Sequence, residues 1–155
     1  MTDLLIREAE IKDVDAMAEL DKLCFAVPWS RQSFYSEITQ NPRAIYIVCE
    51  NGETGEIAGY AGLWVILDEG HITNVAVRPT YRRHHIASRM LEMLLSCAES
   101  CGVTAETLEV RRSNDAAISL YTGFDFHKEG VRNGYYEDNN EDALIMWRRK
   151  SGDRA

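Results

Sequence analysis

The period of the hydrophobic positions changes several times along the chain, and each change marks an element. Residues 4–7 read as a short first strand. Residues 11–25 follow helical spacing, with Ile11, Val14, Met17, Ala18 and Leu23 toward one side. Pro28-Trp29-Ser30 breaks that helix, and Ser30 is a natural N-cap for a second one over 31–39. Residues 44–49 form a β-branched strand, followed by a turn running from Asn51-Gly52 to Gly55. Two longer strands follow at 57–67 and 72–77, joined tightly at Asp68-Glu69-Gly70. From His85 the period lengthens: Ile86, Met90, Met93, Leu94, Cys97 and Cys101 trace an amphipathic helix that Gly102 ends. Residues 107–110 are a strand and 114–121 a short helix, capped by Ser113 or Asn114. Strands at 124–129 and 143–147 close the chain. The order β-α-α-β-β-β-α-β-α-β-β predicts an α/β domain of the α+β type around a largely antiparallel sheet.

Composition narrows the class. With 155 residues, the chain suits one domain over 1–150 with a short tail at 151–155. No apolar run approaches the roughly 18 residues that span a bilayer, and residues 1–9 lack the pattern of a secretion signal. The expectation is a cytoplasmic protein without a membrane partner. The net charge of −8, from 25 acidic and 17 basic residues, argues against direct nucleic-acid binding. It suits a cationic substrate drawn to an acidic cleft, and equally an acidic surface that only keeps the protein in solution.

Cys24, Cys49, Cys97 and Cys101 form no CxxC pair. Cys97 and Cys101 share a helix face, but His84 and His85 lie at its other end, about 18 Å away from Cys97 along the axis. Buried reduced thiols are expected, and no metal site.

The most informative stretch runs from Val75-Ala76-Val77 through Arg78-Pro79-Thr80-Tyr81 to Arg82-Arg83-His84-His85-Ile86-Ala87-Ser88. It is a strand, a proline bend, a cationic turn and a helix start. A helix N-terminus offers unpaired N–H groups and a positive dipole end, which attract an anion and disfavour cations. A cationic cluster there fits a polyanion held between the two; it fits a solvated turn with outward charges as well.

This segment resembles the phosphate-binding motif of the GCN5-related N-acetyltransferase (GNAT) superfamily, Arg/Gln-x-x-Gly-x-Gly/Ala. Arg82, Ile86 and Ala87 match it, and His85 stands where the central glycine is usual. The resemblance implies acetyl-CoA as cosubstrate and a GNAT fold, with six to seven strands flanked by about four helices. Val75, Ala76 and Val77 would hold the pantetheine arm, and Arg82, Arg83, His84, His85, Ile86, Ala87 and Ser88 would surround the phosphates. Because glycine tolerates unusual backbone angles, His85 implies either ordinary angles at this position or a locally shifted turn, with its ring expected to swing outward and, when cationic, to contact a CoA phosphate.

A second block, 108–121, joins a strand end to a short helix and carries Glu109 and Tyr121. Acetyl transfer to an amine needs a base for the incoming nitrogen and a proton for the departing thiolate. A carboxylate and a phenol suit those two needs. On spacing alone, Glu109 could equally pair with Arg111 on a solvated strand, and Tyr121 could edge the core.

The run Leu-Glu-Val-Arg-x-Ser-Asn-x-x-Ala-Ile-x-Leu-Tyr is similar to the ribosomal-protein-alanine N-acetyltransferase (RimI) group of that superfamily. The resemblance implies Glu109 as general base, Tyr121 as general acid and a CoA contact from Asn114. After Tyr121 the usual Gly-Phe ending is replaced by Asp125-Phe126. Pro28-Trp29-Ser30 with Phe34, and Arg132-Asn133-Gly134-Tyr135-Tyr136 with 141–146, extend the resemblance over about 3–148. It implies transfer to the N-terminal alanine of a small-subunit ribosomal protein, whose N-terminus is basic, by a monomer or weak dimer. Tyr135 and Tyr136, with the acids of 137–142, would form an acidic, aromatic wall for it; a solvated hairpin loop is the other reading of those acids. Acceptors of a different kind, a small amine or another N-terminus, fit the same motifs, and so does a noncatalytic CoA-binding module.

Overall fold

The computed structural model describes residues 3–149; the expected tail, 151–155, lies outside them. Seven strands form one sheet: β1 (Leu4–Glu8), β2 (Ala44–Asn51), β3 (Ile57–Ile66), β4 (Glu69–Val77), β5 (Ala105–Arg111), β6 (His127–Tyr136) and β7 (Glu141–Arg149). Their order is β1-β2-β3-β4-β5-β7-β6, antiparallel throughout except between β4 and β5. Four helices flank it: α1 (Val14–Cys24), α2 (Arg31–Gln40), α3 (Ile86–Ser100) and α4 (Asp115–Gly123). The mixed, mostly antiparallel architecture expected from the pattern is present. Among the described residues no helix is long and apolar enough to cross a membrane.

The sheet separates two cores. Successive strand residues point to opposite faces, so Tyr46 and Val48 of β2 join Val14, Met17, Leu20 and Phe34 of α1 and α2. Ile47 and Cys49 join Met90, Leu91 and Leu94 of α3 on the other side. Both faces are covered, which is why β2 and β3 read as near-continuous apolar runs. Each fully buried Leu or Met contributes about 1.5–3 kcal/mol. Gly62 on β3 leaves room for the Tyr46 ring; a Cβ there would lie 2.1 Å from it.

Several expectations shift by a turn or a strand step. The first helix opens with a 3-10 turn over Ile11–Asp13, and Asp13 accepts the Glu10 N–H and two bonds from Arg7. Ile11 and Leu23 are exposed, while Leu20 and Asp21 occupy the inner face instead. Asp21 can be buried because it accepts bonds from the Tyr60 hydroxyl and the Trp29 N–H. On α3 the buried face is Ile86, Met90, Leu91, Leu94, Leu95 and Ala98, so Met93 and Cys101 point outward. Cys49 is the buried thiol; Cys101 is exposed, and Cys24 and Cys97 are intermediate.

β6 differs most from its expected span. Residues 124–126 are not strand but the cap of α4. The Phe126 N–H reaches the Tyr121 carbonyl and the Asp125 N–H that of Thr122, with Asp125 left-handed at φ 72°. This is a Schellman cap with Asp125 where glycine is usual, and its apolar contact is Phe126 against Tyr121, ring centroids 5.7 Å apart. The altered ending therefore preserves the turn.

β4 and β5 pair over Glu69–Ala105, Gly70–Glu106 and His71–Thr107, and then part. β4 continues to Val77 against β3 alone, and β5 to Arg111 against β7 alone. The sheet opens into a fork between them.

Candidate active site

Beyond His71, the edge of β4 that faces the fork has no partner strand among the described residues. Its exposed peptide groups form a template for an extended, amide-bearing arm. Val75, Ala76 and Val77 lie on this stretch, paired on their other side with Ala61, Tyr60 and Gly59. A register shift at Gly62/Leu63 leaves Thr73 as the extra residue of a bulge in β4, with its hydroxyl 3.3 Å from that of Tyr46.

The turn after β4 is firmly anchored. The Arg78 N–H donates to the Ala58 carbonyl, and its guanidinium reaches Ile57 and Glu19. Tyr81 donates to Glu56 and accepts from Asn51. Arg83 and His85 then take left-handed backbone angles, φ 70° and 58°. His85 thus keeps the conformation a glycine would adopt, rather than ordinary angles, and its side chain is exposed. The N–H groups from Arg83 to Ser88 have no hydrogen-bond partner among the described residues, and α3 carries neither a side-chain cap nor an acid in its first turn. Unpaired donors at a helix start, with exposed Arg82, Arg83, His84 and His85 around them, fit a pyrophosphate. Ile86 instead points into the core.

Glu109 lies on β5 just past the point where the strands part. Its Oε1 is 2.9 Å from His71 Nε2, and its Oε2 is 3.9 Å from Arg132 Nε. It does not pair with Arg111. The bond from His71 holds the carboxyl below its usual range, against the opposing effect of burial, with the charges of His71 and Arg132 adding to it.

Tyr121 is buried against Phe126, and its hydroxyl makes no hydrogen bond among the described residues. Burial pushes its phenol up, and nearby Tyr136 adds to this. Tyr136 interacts electrostatically with Glu109 as well. Asn114 Oδ1 accepts the Ala117 N–H at 3.1 Å and caps α4, the helix that carries Tyr121.

The β6–β7 hairpin closes this side. Arg111 lies 4.0 Å over the Tyr136 ring and binds Asp138 and Glu141. Glu141 also accepts the Ser113 N–H, and bonds from Ser113 and Arg111 draw it down to about 2. Asp142 pairs with Arg112 and accepts the Gly134 N–H. These acids lock the hairpin to β5 instead of lining an acidic wall. Tyr135 and Tyr136 stand edge to face on this hairpin, ring centroids 5.1 Å apart.

Residues 14–126 match the acetyltransferase (GNAT) family. The chain belongs to the GNAT acetyltransferase family. It is 36% identical over 143 residues to the ribosomal protein bS18-alanine N-acetyltransferase of Escherichia coli, covering 91% of this chain and 94% of that protein. It is 35% identical over 147 residues to the N-alpha-acetyltransferase RimI of Mycobacterium tuberculosis, covering 91% and 89% respectively. The crystal structure of the ribosomal-protein-S18-alanine N-acetyltransferase from Escherichia coli superimposes with a TM-score of 0.86, at 34% identity, over 99% of both chains. As a GNAT enzyme the chain is an N-acetyltransferase that takes its acetyl group from acetyl-CoA. The forked strands and the donor-rich turn are the parts of the GNAT fold that fit such a cosubstrate.

His71 and Arg132, the two cationic or titratable groups that reach Glu109, had no role in the sequence reading; Arg132 stood there only in the run that carries the hairpin resemblance. His71 sits at what the pattern reads as a strand's edge. A histidine a few residues ahead of the strand end at the fork was the available signal.

Proposed function

We propose that the enzyme acetylates the N-terminal α-amino group of a protein, the N-terminal alanine of ribosomal protein bS18, with Glu109 as general base and Tyr121 as general acid. The observation that carries this reading is the place of Glu109, on β5 just past the point where β4 and β5 part and bound across that opening by His71. The names of the curated relatives support the acceptor.

The α-ammonium of the acceptor first gives one proton to solvent. The free amine attacks the thioester carbon, the C–S bond breaks, and the nitrogen sheds its second proton. One proton ends on the CoA thiol and one in solvent. An α-ammonium has an ordinary pKa of about 8, far above a depressed carboxyl. Glu109 is therefore matched to the second proton, which becomes acidic as the nitrogen gains charge during attack. A phenol raised by burial stays protonated until charge develops on sulfur; as the C–S bond breaks it hydrogen-bonds the sulfur and passes it the proton, and solvent reprotonates the phenolate.

In this reading the backbone donors of Arg83 to Ser88 hold the pyrophosphate, and Arg82 and the exposed imidazoles face it. Asn114 works through the cap of α4. Tyr135 and Tyr136 form the aromatic wall for the peptide.

Wild type and Glu109→Gln, assayed with acetyl-CoA and an alanine-initial basic peptide between about pH 6 and 9, test the assignment. The Gln variant is expected to lose roughly 10²–10⁴-fold in kcat. Substantial Gln activity across that range would remove Glu109 as the base.

A further inference from the structure

His71 belongs to none of the roles above, yet it makes the shortest contact of Glu109, 2.9 Å from Nε2 to Oε1. Arg132, at 3.9 Å, is beyond hydrogen-bond distance and its side chain is 56% exposed, so solvent screens it. His71 is also the last residue of β4 that pairs with β5, opposite Thr107, and Glu109 follows Thr107 by two on the same face. The imidazole thus bridges the two strands just as they part. Its ring is set by Trp64, edge to face at 6.2 Å, and the Trp64 indole N–H is bound by Glu37 of α2. The side chain remains 33% exposed against 12% for Glu109, so solvent reaches it more than its partner.

We propose that His71 is a positioning residue for acetyl transfer: its neutral ring donates Nε2–H to Glu109 and fixes the carboxylate toward the acceptor nitrogen, and its protonation converts that bond into an ion pair that opposes proton uptake by Glu109. The proposal rests on Glu109 being the base. A nitrogen facing a carboxylate carries the hydrogen, so the neutral ring leaves Nδ1 open to protonation. The imidazolium then stabilises the ionised carboxylate and weakens it as a base. The charged or titratable groups around the pair are Arg132 and Tyr136 of β6, and Glu37 of α2 behind Trp64. Burial pushes the Tyr136 phenol up to about 12, away from the acid range. The acid limb of activity therefore contains a component from His71, additional to the titration of the acceptor amine.

The test is kcat/KM for an alanine-initial peptide as a function of pH, for wild type, His71→Gln and His71→Ala. Taking the ratio of variant to wild type at each pH cancels the titration of the acceptor. Glutamine keeps a donor without a titrating ring. His71→Gln is expected to stay within about threefold of wild type at pH 8 and to gain on it by about tenfold toward pH 5.5. His71→Ala is expected to lose roughly tenfold in kcat at pH 8 with the KM for acetyl-CoA unchanged. Calorimetric CoA binding by both variants establishes that they fold. A pH-independent ratio with both variants alike overturns the role of His71 while leaving Glu109 in place. A wild type that acetylates no alanine-initial peptide overturns the acceptor reading and this proposal with it.

Discussion

Arg111 stacks 4.0 Å above the ring of Tyr136 while its guanidinium binds Asp138 and Glu141. One side chain at the end of β5 thereby fixes the hairpin that carries Tyr135 and Tyr136. Arg111→Met removes the stack and the ion pairs and keeps most of the volume. The KM for a peptide acceptor should rise several-fold while the KM for acetyl-CoA stays put, because the open edge of β4 and the turn into α3 lie apart from this hairpin. Steady-state kinetics with each substrate varied in turn separate the two.

Tyr121 has its ring packed and its hydroxyl without a partner among the described residues. Tyr121→Phe should therefore change folding stability by no more than about 0.5 kcal/mol, while kcat falls roughly 10²-fold. Denaturant melts and single-turnover rates measured on the same preparation check both halves.

Glu109 titrates below its ordinary value of 4.5 in the folded protein. Its contribution to stability is complete above the unfolded value and disappears as pH falls through the folded one. Wild type should lose stability relative to Glu109→Gln as pH falls below about 4.5. Paired urea titrations at several pH values measure that difference, and the other carboxylates cancel in it.

Two left-handed positions carry side chains where glycine is usual, His85 at φ 58° and Asp125 at φ 72°. A left-handed residue with a Cβ costs about 1–2 kcal/mol, of which the greater freedom of glycine in the unfolded chain takes back about half. Asp125→Gly should raise stability by up to about 1 kcal/mol without changing kcat. His85→Gly should bind CoA like wild type at pH 8, whereas His85→Val, β-branched at positive φ, should lose affinity and melt earlier. A lower affinity of His85→Gly toward pH 5.5 would assign a phosphate contact to the imidazolium.

Most of the fold was legible because apolar period and turn chemistry agreed along the chain. The misplaced features share physical causes. Asp21 hid a core position, since only the structure reveals that Tyr60 and Trp29 satisfy it. Asp125-Phe126 looked like the start of a strand, because the sequence does not display the left-handed cap that folds Phe126 back on Tyr121. The acids at 138, 141 and 142 read as a substrate surface, while their partners Arg111 and Arg112 lay nearly thirty positions away. His71 was missed for the same reason: its link to Glu109 spans the fork, and period does not encode cross-strand partners.

The central claim, transfer to a protein N-terminus through Glu109, is tested most directly by a competition assay. Acetyl-CoA is supplied with an equimolar mixture of an alanine-initial basic peptide, the same peptide with its N-terminus blocked, and small polyamines, and the products are located by fragment mass spectrometry. The account predicts acetyl groups on the free alanine α-nitrogen alone, abolished in Glu109→Gln. Acetylation of lysine side chains in the blocked peptide, or preference for the polyamines, would contradict it.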